Sequence, residues 1–166
     1  MSASQDELKI IEAVPGRVAF YAWHNVTITV WTGPSDIAFV ERLSAVTKRV
    51  QDEYPQGGSG IHIVRPSVSL PDSATREGLV KVSNEYAQWL AAVGVVIGGS
   101  GFWASTMRSV ITALRVMASR EYEMRIHGTT EELLGWLPDV HQKRTGVALP
   151  IDSLRAQLAR AEREAI

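Results

Sequence analysis

An uninterrupted apolar run, Ala91 to Ile97, ends at the segment Gly98-Gly99-Ser100-Gly101. Such a run is typical of a strand that is covered on both faces of a sheet. Apolar residues then recur at helical spacing. These are Trp103, Met107, Val110, Ile111, Leu114 and Met117. A buried strand, a sharp turn and an amphipathic helix in this order predict a parallel β–α unit within an α/β domain.

The preceding chain predicts more elements of the same kind. Arg17 to Trp23 and Val26 to Trp31 are two β-type runs joined by His24-Asn25, as in a tight hairpin. In the second run Thr27 and Thr29 alternate with apolar residues, so we expect one polar face. Further predicted elements are a helix over 37–53, a strand over 61–64, a helix from 73, a strand over 122–126 and a helix from 130 that stops at Pro138. This order predicts a mixed sheet of about five strands, mostly parallel, with flanking helices.

The predicted α/β domain covers residues 1–138, of which residues 1–14 form a polar lead-in. Residues 139–166 are predicted to be a linker and a C-terminal amphipathic helix. The apolar stripe of that helix contains Leu154, Leu158, Ala161 and Ala165. Such a stripe indicates either self-association into a homodimer or packing back onto the domain.

Composition narrows the classes of function. Lys and Arg number 17 and Asp and Glu 18, so the chain lacks the basic excess typical of a nucleic-acid-binding protein. The absence of cysteine excludes disulfides and cysteine-ligated metals. The polar start of the chain lacks the pattern of a signal peptide, and the longest apolar run is too short for a membrane span. We therefore expect a cytoplasmic protein.

The glycine-rich turn is the strongest candidate for a ligand site. Gly98, Gly99, Ser100 and Gly101 precede a helix that carries Ser105 and Arg108, and free N–H groups at a helix start attract anions. The spacing matches neither a P-loop nor a dinucleotide motif. The favoured interpretation is that glycine serves the turn geometry alone, because glycine occurs in turns far more often than at ligands.

Other residues indicate interaction surfaces. Arg108, Thr112, Arg115 and Ser119 form a polar stripe along the same helix, which is either a solvated face or a docking surface. Trp23 and Trp103 belong either to the core or to an interface. Leu154 and Leu158 are also candidate interface residues.

No catalytic constellation emerges. The four histidines lack paired spacing, which favours structural or surface roles. The alternative is that His62 and His127, which lie in or beside predicted strands, approach each other around a metal. Ser100 does not lie in a nucleophile elbow, and no acid–base pair is evident. We expect neither enzymatic activity, nor a metal, nor a cofactor.

The segment from Val93 to Leu137, with Met107-Arg108-Ser109-Val110 and an ending Thr130-Glu131-Glu132-Leu133-Leu134-Gly135-Trp136-Leu137, resembles uncharacterised bacterial SpoIIAA-like domains of the STAS-like family. The resemblance implies a STAS-like fold and regulation through a protein partner. Signalling members carry a phosphorylated Ser or Thr that follows an Asp at a helix start, which the resemblance transfers to Ser73 after Asp72. An Asp-Ser pair at a helix start more often serves as a plain helix cap, which is the favoured interpretation here.

The sequence thus leaves three hypotheses. The first is a non-catalytic regulatory or protein-interaction domain. The second is a binding module for a small anionic or lipophilic ligand at the Gly98–Gly101 turn. An enzyme with a site near His62, His127 and Ser100 is third.

Overall fold

The structure is a computed structural model that describes residues 6–66, 68–118 and 121–166. Within these residues it contains six strands and six helices. The strands are β1 (Lys9–Val14), β2 (Val18–Trp23), β3 (Val26–Trp31), β4 (Gly58–Val64), β5 (Leu90–Ile97) and β6 (Glu123–His127). The helices are α1 (Ile37–Glu53), α2 (Ser73–Glu85), α3 (Phe102–Met117), α4 (Thr130–Leu134), α5 (Leu137–Thr145) and α6 (Ile151–Glu164).

The strands form one mixed sheet in chain order, from β1 to β6. β1, β2 and β3 are antiparallel neighbours, and β3 to β6 run parallel. Trp23 pairs with Val26, so His24 and Asn25 form the predicted two-residue hairpin connection. The parallel strands are joined through α1, α2 and α3, as parallel pairing requires. The predicted α/β class with a mixed, mostly parallel sheet is confirmed.

Helices cover both faces of the sheet, so the domain has three layers and two cores. α1, α2 and α3 lie on one face, and α4, α5 and α6 on the other. Every residue of β5 is buried because both faces are covered and β4 and β6 flank it. Alternate residues serve the two cores: Val95 faces α3, whereas Val96 faces α4 and α5.

Several details differ from the sequence predictions, and β4 begins at Gly58, three residues before the strand predicted over 61–64. Lys9–Val14, expected in the polar lead-in, forms an additional edge strand, which gives six strands instead of about five. Pro138 does not stop a helix; it lies in the first turn of α5, where a missing N–H costs no hydrogen bond. Residues 139–145, expected in a linker, are therefore helical.

The C-terminal helix packs back onto the domain. Leu154, Leu158 and Ala161 of α6 are fully buried against β2 and β3. Arg65, which follows β4, donates hydrogen bonds to the carbonyl oxygens of Glu162 and Ala165 at the end of the helix. These contacts make α6 part of the core on the α4–α6 face of the sheet, called the second core below.

Candidate ligand-binding site

The sheet face beneath α1 to α3 carries a polar patch. In β3, Thr27, Thr29 and Trp31 point to this face, and in β4 Gly60 and His62 do so. Thr27 pairs with Gly60 and Thr29 with His62, so the polar and small residues are neighbours across two strands. The predicted polar face of β3 is thus buried under helices instead of exposed to water, with Thr27 and Thr29 both buried.

A cavity lies between this patch and the helices. Thr75 is the only described residue of α2 that is buried, and the helix packs mainly on α1 and α3 instead of on the sheet. The cavity beneath it has a volume of about 80 Å³, which is smaller than small-molecule sites of roughly 300–1,000 Å³. A ligand therefore fits only if α2, which rests on its neighbouring helices, moves outward. The walls are mainly apolar and include Leu43 of α1, Leu79 and Val82 of α2, and Leu114 of α3.

His62 is the polar group at the floor of the cavity. The indole Nε1–H of Trp31 donates to His62 Nδ1 at 3.1 Å, and the two rings meet edge to face. Because Nδ1 accepts this bond, the proton of the neutral imidazole is on Nε2. Burial lowers the pKa of His62 to about 4, so the ring is neutral at pH 7.

Gly60 leaves space beside this donor. A Cβ atom at Gly60 would lie 3.5 Å from Thr27 Oγ1 and 4.0 Å from His62 Nε2. The Thr27 hydroxyl and the imidazole N–H therefore flank one empty volume. Thr27 Oγ1 is 3.5 Å from the Ser59 carbonyl oxygen, a long contact that holds the hydroxyl weakly. No group in the described part of the chain accepts a hydrogen bond from His62 Nε2.

The cavity offers polarity without charge. Among the described residues that line it, none is Asp, Glu, Lys or Arg. Its polar side chains are hydroxyls and the neutral imidazole, including Thr27, Thr47, Ser83 and His62. Such a lining suits an apolar molecule with an uncharged hydrogen-bond acceptor, because a buried anion without a countercharge is costly.

The Gly98–Gly101 turn lies outside the cavity. Gly99 and Gly101 have φ values of +85° and +97°, a region that side chains other than glycine rarely adopt. Arg108 donates to the carbonyl oxygens of Ile97 and Gly99, each at 2.9 Å, and so closes the turn on itself. Ser100 and Ser105 are exposed. Backbone geometry accounts for these glycines.

Ser73 is the first residue of α2 and is exposed. Asp72 caps the helix by accepting a hydrogen bond from the Thr75 N–H at 2.8 Å, while Ser73 Oγ accepts one from Arg76. Ser73 and the Gly98 turn follow consecutive parallel strands, so they lie at the same end of the sheet. Phosphorylation of Ser73 stays a prediction.

The predicted interface residues separate into two groups. Trp23, Leu154 and Leu158 are buried in the second core and present no surface to a partner. Trp103 is half-buried and donates to the Val68 carbonyl oxygen at 2.8 Å, whereas Arg115 is exposed on α3. Ser119, predicted on the same polar stripe as Arg115, lies outside the described residues.

His62 and His127 do not approach each other, so the alternative of a metal site between them is not realised. Their strand partners Val95 and Val96 are consecutive in β5, so the two histidines lie on opposite sheet faces. In residues 6–66, 68–118 and 121–166 no group of three or more potential ligands could hold a metal ion.

A second buried polar cluster was missed by sequence reasoning because its members are far apart in the chain. Ser59 Oγ is 2.7 Å from His141 Nδ1, and His141 Nε2 is 2.9 Å from Asn25 Oδ1. Asn25 Nδ2 donates to the Gly57 carbonyl oxygen, so its Oδ1 accepts from His141. All three side chains are completely buried. The cluster ties α5 to the sheet and is inaccessible to a substrate.

No protein-family model matches the sequence, and no curated protein matches it significantly. The resemblance to STAS-like domains therefore stays a prediction. Among the helices of the described segments, none has both the length and the apolarity needed to cross a bilayer.

Proposed function

We propose that this protein is a non-catalytic domain that binds a small, mainly apolar molecule between its sheet and α1 to α3. The observation that carries the proposal is that the His62 N–H and the Thr27 hydroxyl lie side by side at the floor of an otherwise apolar cavity. A ligand acceptor such as a ketone or ester oxygen would face His62 Nε2, and an alkyl or aromatic body would contact Leu79, Val82 and Leu114.

Three observations favour this function over the other hypotheses drawn from the sequence. A lipophilic ligand is favoured over a phosphate or nucleotide, since no described cation lines the cavity. The cavity is favoured over the Gly98–Gly101 turn, where Arg108 is engaged by carbonyl oxygens. A binding role is favoured over catalysis, because no carboxylate is available to pair with His62 among the described lining residues.

A regulatory role is the natural extension of ligand binding. α2 lines the cavity and begins at the exposed Ser73, so one helix connects the ligand with a candidate phosphorylation site. We propose that a protein partner of the STAS-like type senses this helix. The cysteine-free composition favours a cytoplasmic setting for this regulation.

Probes that differ only in their polar group test the proposal. We expect 2-octanone to bind and to raise the melting temperature at pH 7, and octanoate to bind more weakly because its charge is not compensated. Gly60→Val should abolish binding, since its side chain fills the space between Thr27 and His62. Gly60→Ala should weaken it, with a Cβ at ordinary contact distances.

Gly98→Ala is the matched control. Its Cβ would meet only the Gly128 carbonyl oxygen, at 3.6 Å, and lies outside the cavity. We expect this variant to bind 2-octanone like the wild type. Equal binding by the wild type and a folded Gly60→Val variant would refute the proposed site, as would loss of binding in Gly98→Ala alone.

A further inference from the structure

The outer edge of β6 is an unpaired strand edge. β6 pairs with β5 on one side, and no strand of the described chain pairs with it on the other. The free N–H and C=O groups of such an edge are a template for another strand. Folded proteins usually block edges of this kind or use them.

The opposite edge of the sheet is blocked. β1 has a bulge between Ile10 and Glu12, which interrupts regular pairing. Lys9 and Glu12 are held in ion pairs with Glu53 and Arg42 of the same chain. β6 is regularly paired with β5 along its length and carries no proline. The two edges are therefore not equivalent, and β6 is the better template.

The charges on β6 are self-complementary. Glu123 and Arg125 lie on one face, with about half of each side chain exposed, and their mutual contact within the chain is long, at 3.9 Å. If two copies of β6 pair antiparallel around a two-fold axis at Met124, Glu123 of each lies opposite Arg125 of the other. Shifting the axis to Glu123 or to Arg125 places identical charges opposite each other, which is unfavourable. The charges within β6 therefore favour the register centred on Met124.

Exposed apolar side chains lie beside this edge. Val116 and Met117, at the end of α3, are 68% and 63% exposed. Val116 and Arg115 line a groove between α3 and β6 that also includes Arg125. A second copy paired along β6 places its own α3 on the same face of the continuous sheet, beside α3 of the first copy.

We propose that the chain forms a homodimer through antiparallel pairing of two β6 strands, with reciprocal Glu123–Arg125 contacts and a continuous sheet across the two-fold axis. The partner is a second copy of this chain because the edge is complementary to itself. Such an isologous interface is the commonest form of association among identical subunits.

Charge reversal tests this interface with the full-length chain. We expect a dimer by sedimentation equilibrium for the wild type, and a monomer for Arg125→Glu and for Glu123→Arg, since each places like charges opposite each other. The double variant Glu123→Arg/Arg125→Glu should restore the dimer. An equimolar mixture of the two single variants should also form a dimer, because their charges then complement each other.

Lys81→Glu on the exposed face of α2 is the control for a change in net charge and should remain dimeric. Circular dichroism melting verifies that each single variant is folded. A monomeric wild type would overturn the proposal. So would a dimer that survives both single reversals, or a mixture of the single variants that stays monomeric while the wild type is dimeric.

Discussion

His62 combines two functions in one ring, and each nitrogen has its own. Nδ1 accepts the hydrogen bond of Trp31, which fixes the orientation and the tautomer of the ring. Nε2–H then faces the cavity beside Gly60 and Thr27. The strand thus presents a single oriented donor inside an apolar enclosure, the kind of polar group that fixes the orientation of a small ligand.

Substituting His62 by its two amide mimics separates these functions. His62→Asn keeps a group near the position of Nδ1 for Trp31 and removes the Nε2 donor. We expect it to weaken 2-octanone binding by about 1 kcal/mol, roughly fivefold, which is the net value of a neutral hydrogen bond. His62→Gln keeps a donor near Nε2 and should bind more tightly than His62→Asn. Calorimetric titration of both variants measures the difference, and the reverse order would contradict the assigned roles.

Two histidines with lowered pKa values also make stability depend on pH. Burial lowers the pKa of His62 and of His141 to about 4, and nearby His24 contributes at His141. Between pH 6.5 and pH 4 the unfolded chain therefore binds more protons than the folded one, so the free energy of unfolding falls as pH falls. From pH 7 to pH 5 we expect a loss of about 2 kcal/mol for each histidine.

Urea unfolding at the two pH values measures this loss. His62→Asn should lose less than the wild type over the same interval, because one titrating group has been removed. Carboxylates titrate alike in both proteins, so the difference isolates His62. An equal loss in the two proteins would contradict a lowered pKa for His62.

At the scale of elements, α2 is the part of the domain that differs most from its neighbours. α1 and α3 bury several apolar side chains on the sheet, whereas the only described buried residue of α2 is Thr75. Leu79, Val80 and Val82 are half-buried because they face the cavity. A helix with few buried contacts opens more readily than the core around it.

Hydrogen exchange tests this asymmetry. We expect amides of residues 76–85 to exchange faster than those in the central turns of α1 and α3, and 2-octanone to slow them by filling the space beneath the helix. Amides of α6, on the opposite face of the sheet, serve as the internal control and should not change. Equal slowing of amide exchange in α2 and α6, or no slowing in α2, would argue against ligand contact with α2.

Element identity followed from local patterns where one face or both faces are buried. The run from Ala91 to Ile97 predicted β5 because a strand that is buried on both faces consists almost entirely of apolar residues. β1 was missed because it is an edge strand whose side chains are exposed or half-buried, so its composition resembles a loop. Pro138 was misinterpreted because proline is compatible with both a helix stop and a first helical turn.

At the scale of the whole molecule, the cavity depends on an arrangement that no local pattern encodes. Thr27 and His62 lie on predicted strands, and the alternation of Thr27 with apolar residues predicted a polar face. Gly60 lies before the predicted strand over 61–64, and the structure places it inside β4. Whether this face is covered depends on which helices pack on which side of the sheet. That it stays partly empty depends on α2 resting on its neighbouring helices instead of on the sheet. Likewise, the contact of Ser59 with His141 spans 82 positions and depends on the register of distant elements.

The location of a bound probe is the most direct test of the central claim, that the space beneath α2 is a ligand site. A crystal structure with 8-bromo-2-octanone, phased on the bromine, would locate both ends of the molecule. We predict bromine between α2 and the sheet, and the ketone oxygen within hydrogen-bonding distance of His62 Nε2. Bromine at the Gly98–Gly101 turn or on the protein surface, with the cavity empty, would contradict the account.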